Sequence, residues 1–423
     1  LNPLKRIKGT RDILPEESAI WMELENVVRR QMAVFNYNEI RTPVFEVTEL
    51  FARGIGELTD IVSKEMYTFT DRSQKSVTLK PEMTAPVMRA YHENNLQARE
   101  PLSKLFYIAP LFRQERPQAG RLRQFHQFGA EFIGSYEAHA DAETIILALN
   151  IFKKLQLNNL ALKINTVGDA LCREPYEKVL KKYLQSELKN TSPEVAERIE
   201  LNPLRVLDSK DVDLQEIILN APKLVNHLNE ASQTHYNTLK AVLNDQHISY
   251  VEDATLVRGL DYYTHTVYEV TSGSLGAQNA LCGGGRYNLL SRQIGGKDVP
   301  AVGFAAGIER ILIALENQQI NIARQSGLDV YIVSLGEKAF TASQKWLNLL
   351  RENEFKADTD FLKRSLKAQM REANRQQARF VLIMGEDELK KKVFSIKNMQ
   401  SAEQQDISFD ALIPFLKSSL PHP

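Results

Sequence analysis

Two strand-like runs, residues 105–113 and 124–134, face each other across a loop, residues 114–123, that carries Arg116, Arg121 and Arg123. Successive strands joined this way pair antiparallel, so the chain is committed to a sheet with a strongly basic connection at one end. Ahead of it, Pro15 stops a basic opening, and Ile20, Leu24, Val27, Val28 and Phe35 recur near helical spacing, predicting one amphipathic helix over 17–35. Residues 39–46 read as a strand. Pro43 cannot donate to a ladder, which puts that strand at an edge or an interface. From 76 to 105 a strand, a turn at Pro81 and a helix alternate.

Residues 174–246 change character to polar helices, with Ser192 as an N-cap and Pro193 in a first turn, and form a helical insertion that interrupts one domain. Strands resume at 248–252 and 266–271, after which Gly283, Gly284 and Gly285 read as a turn before a short helix. A second regime begins near Gly327. Strand-like runs at 330–335, 380–384 and 393–396 alternate with helices at 339–352 and 364–377, a small α/β domain over 327–423 whose tail frays from Ser418. The first domain takes residues 1–325. For 423 residues, length alone suggests about three domains.

Charge and cysteine content narrow the function classes. Fifty-three basic residues balance fifty-three acidic ones, so any nucleic-acid contact must come from local patches. Cys172 and Cys282 are the only cysteines, which leaves neither a disulfide framework nor a cysteine-rich zinc site and fits a reducing cytosol. The longest apolar stretches fall far short of the roughly 20 residues of a membrane helix, and no signal peptide opens the chain. Neither a P-loop nor a dinucleotide fingerprint occurs. A nucleotide site here needs another design, and arginines projecting from strands supply one, because the guanidinium fork matches phosphate oxygens and keeps its charge. Arg113, Arg258 and Arg310 are the candidates.

Phe112-Arg113-Gln114-Glu115-Arg116-Pro117, followed by Arg121-Leu122-Arg123-Gln124-Phe125-His126-Gln127-Phe128, resembles motif 2 of the class II aminoacyl-tRNA synthetases. Leu256-Val257-Arg258-Gly259-Leu260-Asp261-Tyr262-Tyr263-Thr264 and Gly283-Gly284-Gly285-Arg286-Tyr287 are similar to the two signatures of the histidine family within that class. Residues 301–310 resemble motif 3, residues 39–46 motif 1, and Pro81-Glu82-Met83-Thr84 the amino-acid loop, in order along nearly the whole chain. The resemblance implies an α+β catalytic domain, an antiparallel sheet flanked by helices, with a helical insertion and a C-terminal α/β anticodon-binding domain. It further implies a homodimer and a histidine–tRNA ligase that makes histidyl-adenylate from histidine and magnesium-ATP before transfer to tRNA(His), with no zinc.

Residue by residue, the resemblance sets Arg113 and Arg258 at the α-phosphate as the catalytic pair. Glu115 meets the adenine or ribose side, Arg121 the outer phosphates and Arg310 the γ-phosphate. Glu131 and Tyr263 pair with the imidazole, whose two nitrogens need one acceptor and one donor. Gln127, Glu82 and Thr84 hold the α-amino group, and Met83 and Tyr262 line the pocket. Lys80 and Met83 depart from the usual arginine and glycine of the amino-acid loop, and His265 stands where an arginine is common. His126, next to Gln127 on a strand, points to the opposite face as a packing residue.

For RNA, residues 363–397 set ten basic side chains against Glu372, Glu386, Asp387 and Glu388, and Arg364, Lys367, Arg371 and Arg375 recur as one helical stripe suited to phosphates. Arg116 and Gln118 in the motif 2 loop meet the acceptor end. The alternative is a catalytically inactive paralogue serving as the histidine-sensing regulatory subunit of an ATP phosphoribosyltransferase. That family lacks the intact histidine signatures and the terminal domain that Arg258, Tyr262, Tyr263 and residues 327–423 supply here. A synthetase for threonine or proline would share the motifs but not 258–263.

Overall fold

The computed structural model describes residues 3–56, 59, 61–118, 120–188, 192–209, 211–258, 260, 262–276, 279–323 and 327–420, so Ala119 of the arginine loop and Gly259 and Asp261 of the Arg258 motif lie outside the described residues. The chain divides into Leu1–Ala323 and Arg324–Pro423. Strands of the first unit are β1 (Asn38–Glu39), β2 (Phe45–Val47), β3 (Tyr67–Thr70), β4 (Ser76–Leu79), β5 (Ser103–Phe112), β6 (Gln124–Ile133), β7 (Leu160–Thr166), β8 (Val251–Glu252), β9 (Thr264–Ser272), β10 (Ala280–Arg286) and β11 (Ala301–Gly307). Its helices are α1 (Pro15–Val34), α2 (Thr48–Ile55), α3 (Thr84–Glu93), α4 (Ala138–Lys154), α5 (Ala170–Glu187), α6 (Pro193–Leu201), α7 (Gln215–Leu219), α8 (Glu230–Asp245), α9 (Leu290–Gln293) and α10 (Ile308–Asn317).

The basic hairpin forms as its sequence requires: β5 and β6 pair antiparallel from Ser103 opposite Ile133 to Phe112 opposite Gln124. It sits inside an eight-stranded sheet ordered β1-β5-β6-β11-β10-β9-β7-β8, antiparallel except for the edge pairs β1·β5 and β7·β8. Alternation along the strands feeds two cores. Phe106, Phe128, Tyr268 and Phe304 pack with Trp21, Leu24 and Val28 of α1 and Ile145 and Phe152 of α4, whereas Tyr107, Leu111 and Ile133 pack with Phe51, Val87 and Tyr91 beneath α2 and α3. Removing such faces from water is the main driving force for the unit.

Four expectations need correction. Pro15 does not stop a segment but opens α1 as its first residue, where its missing N–H costs nothing, with Glu16 and Glu17 favouring the same helix end. Residues 39–46 are not one strand: β1 joins the large sheet, β2 joins a separate three-stranded sheet ordered β2-β4-β3, and Pro43 lies in the crossing between them. Gly283, Gly284 and Gly285 are not a turn but the middle of β10, between β9 and β11. They are small because a Cβ on Gly284 would stand 2.4 Å from the Gly303 carbonyl oxygen and 2.6 Å from the Tyr268 ring. Finally, the helical segment 174–246 is not uniform. α5 to α7 share an apolar cluster of their own, including Tyr176, Leu180, Ile199, Leu204 and Ile218, while Tyr236, Leu239 and Leu243 of α8 belong to the main core. Ser192 does cap α6, accepting from the Val195 N–H at 3.4 Å, with Pro193 in the first turn.

Among the described residues of the first unit, one ion pair has no exposed side-chain surface on either partner. Arg286, at the end of β10, and Asp141 of α4 are both fully buried, with Arg286 Nε 3.1 Å from Asp141 Oδ2 and Nη1 donating to the Ser135 carbonyl at 2.7 Å.

The second unit holds β12 (Val330–Ser334), β13 (Ala357–Thr359), β14 (Phe380–Met384), β15 (Val393–Asn398) and β16 (Gln404–Ser408), with α11 (Glu337–Glu352), α12 (Leu366–Arg375), α13 (Glu386–Lys391) and α14 (Leu412–Ser419). The sheet order is β13-β12-β14-β15-β16, parallel through its first three members and antiparallel beyond. The helix expected over 364–377 starts only at Leu366, so Arg364 precedes it. The tail expected to fray from Ser418 is helical through Ser419. Among the described residues no helix is long and apolar enough to cross a membrane.

Candidate active site

The basic end of the hairpin opens on a cleft of about 730 Å³ in the first unit, a size typical of small-molecule sites, and Arg113, Glu115, Arg121, Gln127, Arg258 and Arg310 all line it. Four elements bring them together: the end of β5, the loop after it, β6 and the first turn of α10, with Arg258 arriving ahead of β9. Arg113 donates through Nε to the Pro81 carbonyl at 3.0 Å and lies over the Phe125 ring at 5.3 Å, so its fork is held in one orientation. Burial lowers its pKa, opposed by Glu65, Glu115 and Glu82. Burial also pushes the Glu115 carboxyl up against the pull of Arg121, 3.5 Å away, and of Arg113. Arg310 donates to the Ala280 carbonyl at 3.0 Å, and Arg258 Nη1 to Glu269 Oε2 at 2.9 Å.

Gly283 meets the site from the middle of a strand, not from a turn. A Cβ there would stand 2.0 Å from Arg258 Nη2, so the guanidinium rests directly on the bare backbone of β10. Gly283→Ala is expected to displace Arg258 and slow the reaction carried out in the cleft by on the order of 10- to 100-fold with the melting temperature unchanged within a few degrees, checked by turnover kinetics beside thermal unfolding.

Next to the cleft lies a closed polar cluster. Glu131, on β6 and 1% exposed, accepts from Thr84 Oγ1 at 2.9 Å and from the Tyr287 hydroxyl. Burial raises its pKa from 4.5 to about 8, the Thr84 and Tyr287 hydrogen bonds pulling the other way. Glu82 receives the Thr84 and Ala85 N–H groups at 2.7 and 2.9 Å, closing the first turn of α3. The Tyr262 ring is 4.8 Å from Tyr263 and 5.6 Å from Tyr287, and Tyr263 borders a smaller hollow shared with Arg258. Tyr107, fully buried against Gly129 of β6, joins this cluster.

Folding favours the protonated form of Glu131, so its contribution to stability is complete below about pH 4.5 and is lost as the pH rises through about 8. Unfolding titrations between pH 5 and 9 are expected to show Glu131→Gln losing less stability over that range than the parent.

Other expectations resolve differently. Met83 lies 1% exposed in the apolar cluster with Leu50 and Phe51, not at the cleft. Lys80 is buried with Nζ 3.4 Å from Thr42 Oγ1, and His265 stacks on His235 at 4.9 Å, so none of the three departures from the family pattern lines the cleft. His126 packs edge-on against Trp21 and pairs with Glu309 at 2.9 Å, on the opposite face from Gln127. Arg116 and Gln118 are exposed on the loop.

In the second unit the basic stripe is partly neutralised. Arg364 pairs with Asp360 at 2.8 Å, and Arg375 donates to Glu372 through Nε at 3.1 Å, while Lys367 and Arg371 are exposed along α12. Hydrogen bonds from Arg375 and Gln376 pull Glu372 down to about 2. Beside them Phe361 and Leu362, 58% and 73% exposed, form an apolar patch that the charge pattern did not disclose.

The family described as histidyl-tRNA synthetase has a model that matches residues 9–311, and that of an anticodon binding domain matches residues 329–419. A histidine–tRNA ligase of Caldanaerobacter subterraneus subsp. tengcongensis is 46% identical over 414 residues, 98% of this chain and 99% of its own. The crystal structure of apo Staphylococcus aureus histidyl-tRNA synthetase superposes with a TM-score of 0.85 at 40% identity, covering 98% of this chain and 100% of that one. A Bacillus halodurans structure titled an ATP phosphoribosyltransferase regulatory subunit/histidyl-tRNA synthetase shares the fold at a TM-score of 0.62 and 21% identity, over 91% of this chain and 99% of that one.

Proposed function

Because this chain belongs to the histidyl-tRNA synthetase family and joins histidine to its transfer RNA at the expense of ATP, we propose a division of labour among the residues of its cleft. Arg113 and Arg258 take the α-phosphate from two sides. Glu115 meets the adenine or ribose side, Arg121 the outer phosphates and Arg310 the γ-phosphate. Glu131 and Tyr263 select the imidazole, Gln127, Glu82 and Thr84 hold the α-amino group, and Tyr262 closes the pocket. A histidine carboxylate oxygen attacks the α-phosphorus, the bond to the bridging oxygen breaks, and pyrophosphate leaves. A ribose hydroxyl at the RNA 3′ end then attacks the acyl carbon, and AMP leaves. The supporting observation is the convergence of four motif arginines on one cleft, beside a buried carboxylate that already holds two hydroxyl donors. Fixed cations aimed at developing phosphate charge typically supply several kcal/mol of transition-state stabilisation.

Magnesium fits this cleft as a companion of ATP. Among the described residues no three metal-ligating side chains cluster, and Glu65 and Glu115 are the carboxylates beside Arg113, enough for an ion that keeps phosphate oxygens and water as its main ligands. When bound, it would neutralise phosphate charge. Exposed Val44, Phe45, Val47 and Phe69 on the three-stranded sheet support pairing with a second copy. Cys172 and Cys282, free and buried, support a reducing cytoplasm.

Histidine-dependent exchange of labelled pyrophosphate into ATP, run without RNA and beside other amino acids, tests the assignment. Exchange with histidine alone is expected. Histidine binding without exchange would instead favour a regulatory role.

The RNA is met by Arg116 and Gln118 at its acceptor end and by Arg364, Lys367, Arg371 and Arg375 in the anticodon-binding unit. Since Arg364 and Arg375 already carry carboxylates, Lys367→Ala and Arg371→Ala are expected to matter more. Each should weaken tRNA binding and reduce its log–log salt slope by about 1, read by salt-dependent binding titrations, while exchange without RNA stays unchanged.

A further inference from the structure

One wall of the cleft comes from the helical insertion, outside the arginine motifs. Asn202 and Arg205, at a 3-10 turn over Pro203–Asp208, line the same cavity as Arg113, Arg258 and Arg310. Arg205 also borders, with Arg258 and Tyr263, the smaller hollow of about 20 Å³. Its position is built in. Leu204, Val206 and Leu207 on either side of it are buried in the apolar cluster of the insertion, and Val257, immediately before Arg258, packs against that same cluster. One apolar contact thus sets the two arginines relative to each other.

The electrostatics of this wall point to an anion. Among the described residues seven cationic side chains and four carboxylates line the cleft, with Glu269 holding Arg258 from behind. A guanidinium fork matches phosphate oxygens bidentately and keeps its charge when partly buried. Arg205 is half-buried on a short 3-10 turn anchored on both sides, so little freedom is lost when it binds.

We propose that Arg205 is a nucleotide-phosphate ligand of the activation step, closing on the α-phosphate beside Arg258 as the carboxylate–phosphorus bond forms and pyrophosphate departs. The insertion then takes part in the first half-reaction. This rests on the reading of the cleft as the ATP site.

The test uses the full-length Arg205→Ala and Arg205→Lys variants in pyrophosphate exchange without RNA, with calorimetric titration of histidine and thermal unfolding alongside. In Arg205→Ala, kcat/KM for ATP is expected to fall on the order of 10- to 100-fold, with histidine affinity and melting temperature unchanged; Arg205→Lys recovers part of the loss. Unchanged ATP kinetics with a loss confined to transfer onto RNA would overturn the proposal in favour of an RNA contact. Equal losses for ATP and histidine with a lowered melting temperature, repaired by the neutral Arg205→Met, would overturn it in favour of packing. Absence of exchange in the parent protein would remove the underlying ATP-site reading itself, a result distinct from either.

Discussion

Arg258→Ala is expected to slow histidine-dependent pyrophosphate exchange by on the order of 10²- to 10³-fold while leaving Leu1–Ala323 folded. The argument for large damage is geometric. Arg258 is held between Glu269, 2.9 Å away, and the side-chain-free backbone at Gly283, an arrangement that fixes a charge in advance of the reaction. Lysine at this position keeps the charge but loses the fork, so Arg258→Lys should fall between the two. The argument for intact folding is that the Arg258 and Glu269 side chains are 25% and 20% exposed, so the carboxylate left behind can be solvated. Exchange within a few-fold of the parent would remove Arg258 from the reacting phosphate. A collapse in stability would mean that its pairing with Glu269 is chiefly structural.

Asp141→Ala should have the largest effect on stability. Asp141 and Arg286 have no exposed side-chain surface, and removing the carboxylate leaves a guanidinium in the core held by the Ser135 and Glu137 carbonyls and the Asn288 side chain, with no described carboxylate bonded to it. Losing one partner of a buried pair costs about 3–5 kcal/mol, much of it the penalty on the charge that remains. Chemical denaturation should therefore show a midpoint well below the parent, and replacing both residues with apolar ones should recover part of the loss. Burial alone would push the Asp141 carboxyl up, but hydrogen bonding from His235 and the charge and hydrogen bonds of Arg286 outweigh it and hold it low. The pair thus stabilises at neutral pH, and its contribution fades as the pH falls below the ordinary carboxylate range. Tyr287, which donates to Glu131, follows Arg286 in the chain, so the damage should extend to histidine affinity. A variant as stable as the parent would show that water reaches the site.

The motifs made the site positions legible in advance, and Arg113, Gln127, Arg258 and Arg310 do converge on one cleft. The glycines were misread because three in succession signal a turn, whereas here they clear space for the Arg258, Tyr263 and Tyr268 side chains on a central strand. Tyr107 and the Asp141–Arg286 pair were invisible, since alternation along a strand gives a facing direction but not a partner more than a hundred residues away. Arg205 lay in a polar helical segment whose composition suggests a solvated surface. Only the packing of its neighbours reveals otherwise. Arg364 and Arg375 were counted as open charge because local carboxylates on neighbouring turns do not announce which base they hold.

The place of β11 in the sheet has a consequence for synthesis. Ala301 pairs with Ile133, so one edge of β6 stays unsatisfied until the strand around 301–307 has left the ribosome. At typical translation rates that interval is roughly ten to thirty seconds, during which the hairpin presents an open hydrogen-bonding edge to other nascent chains. The closed cluster around Glu131 shares the delay, because Gly303 is the residue laid against the Glu131 carboxylate. Sheet and pocket thus close in one step, when the last strand to emerge takes its place between β6 and β10.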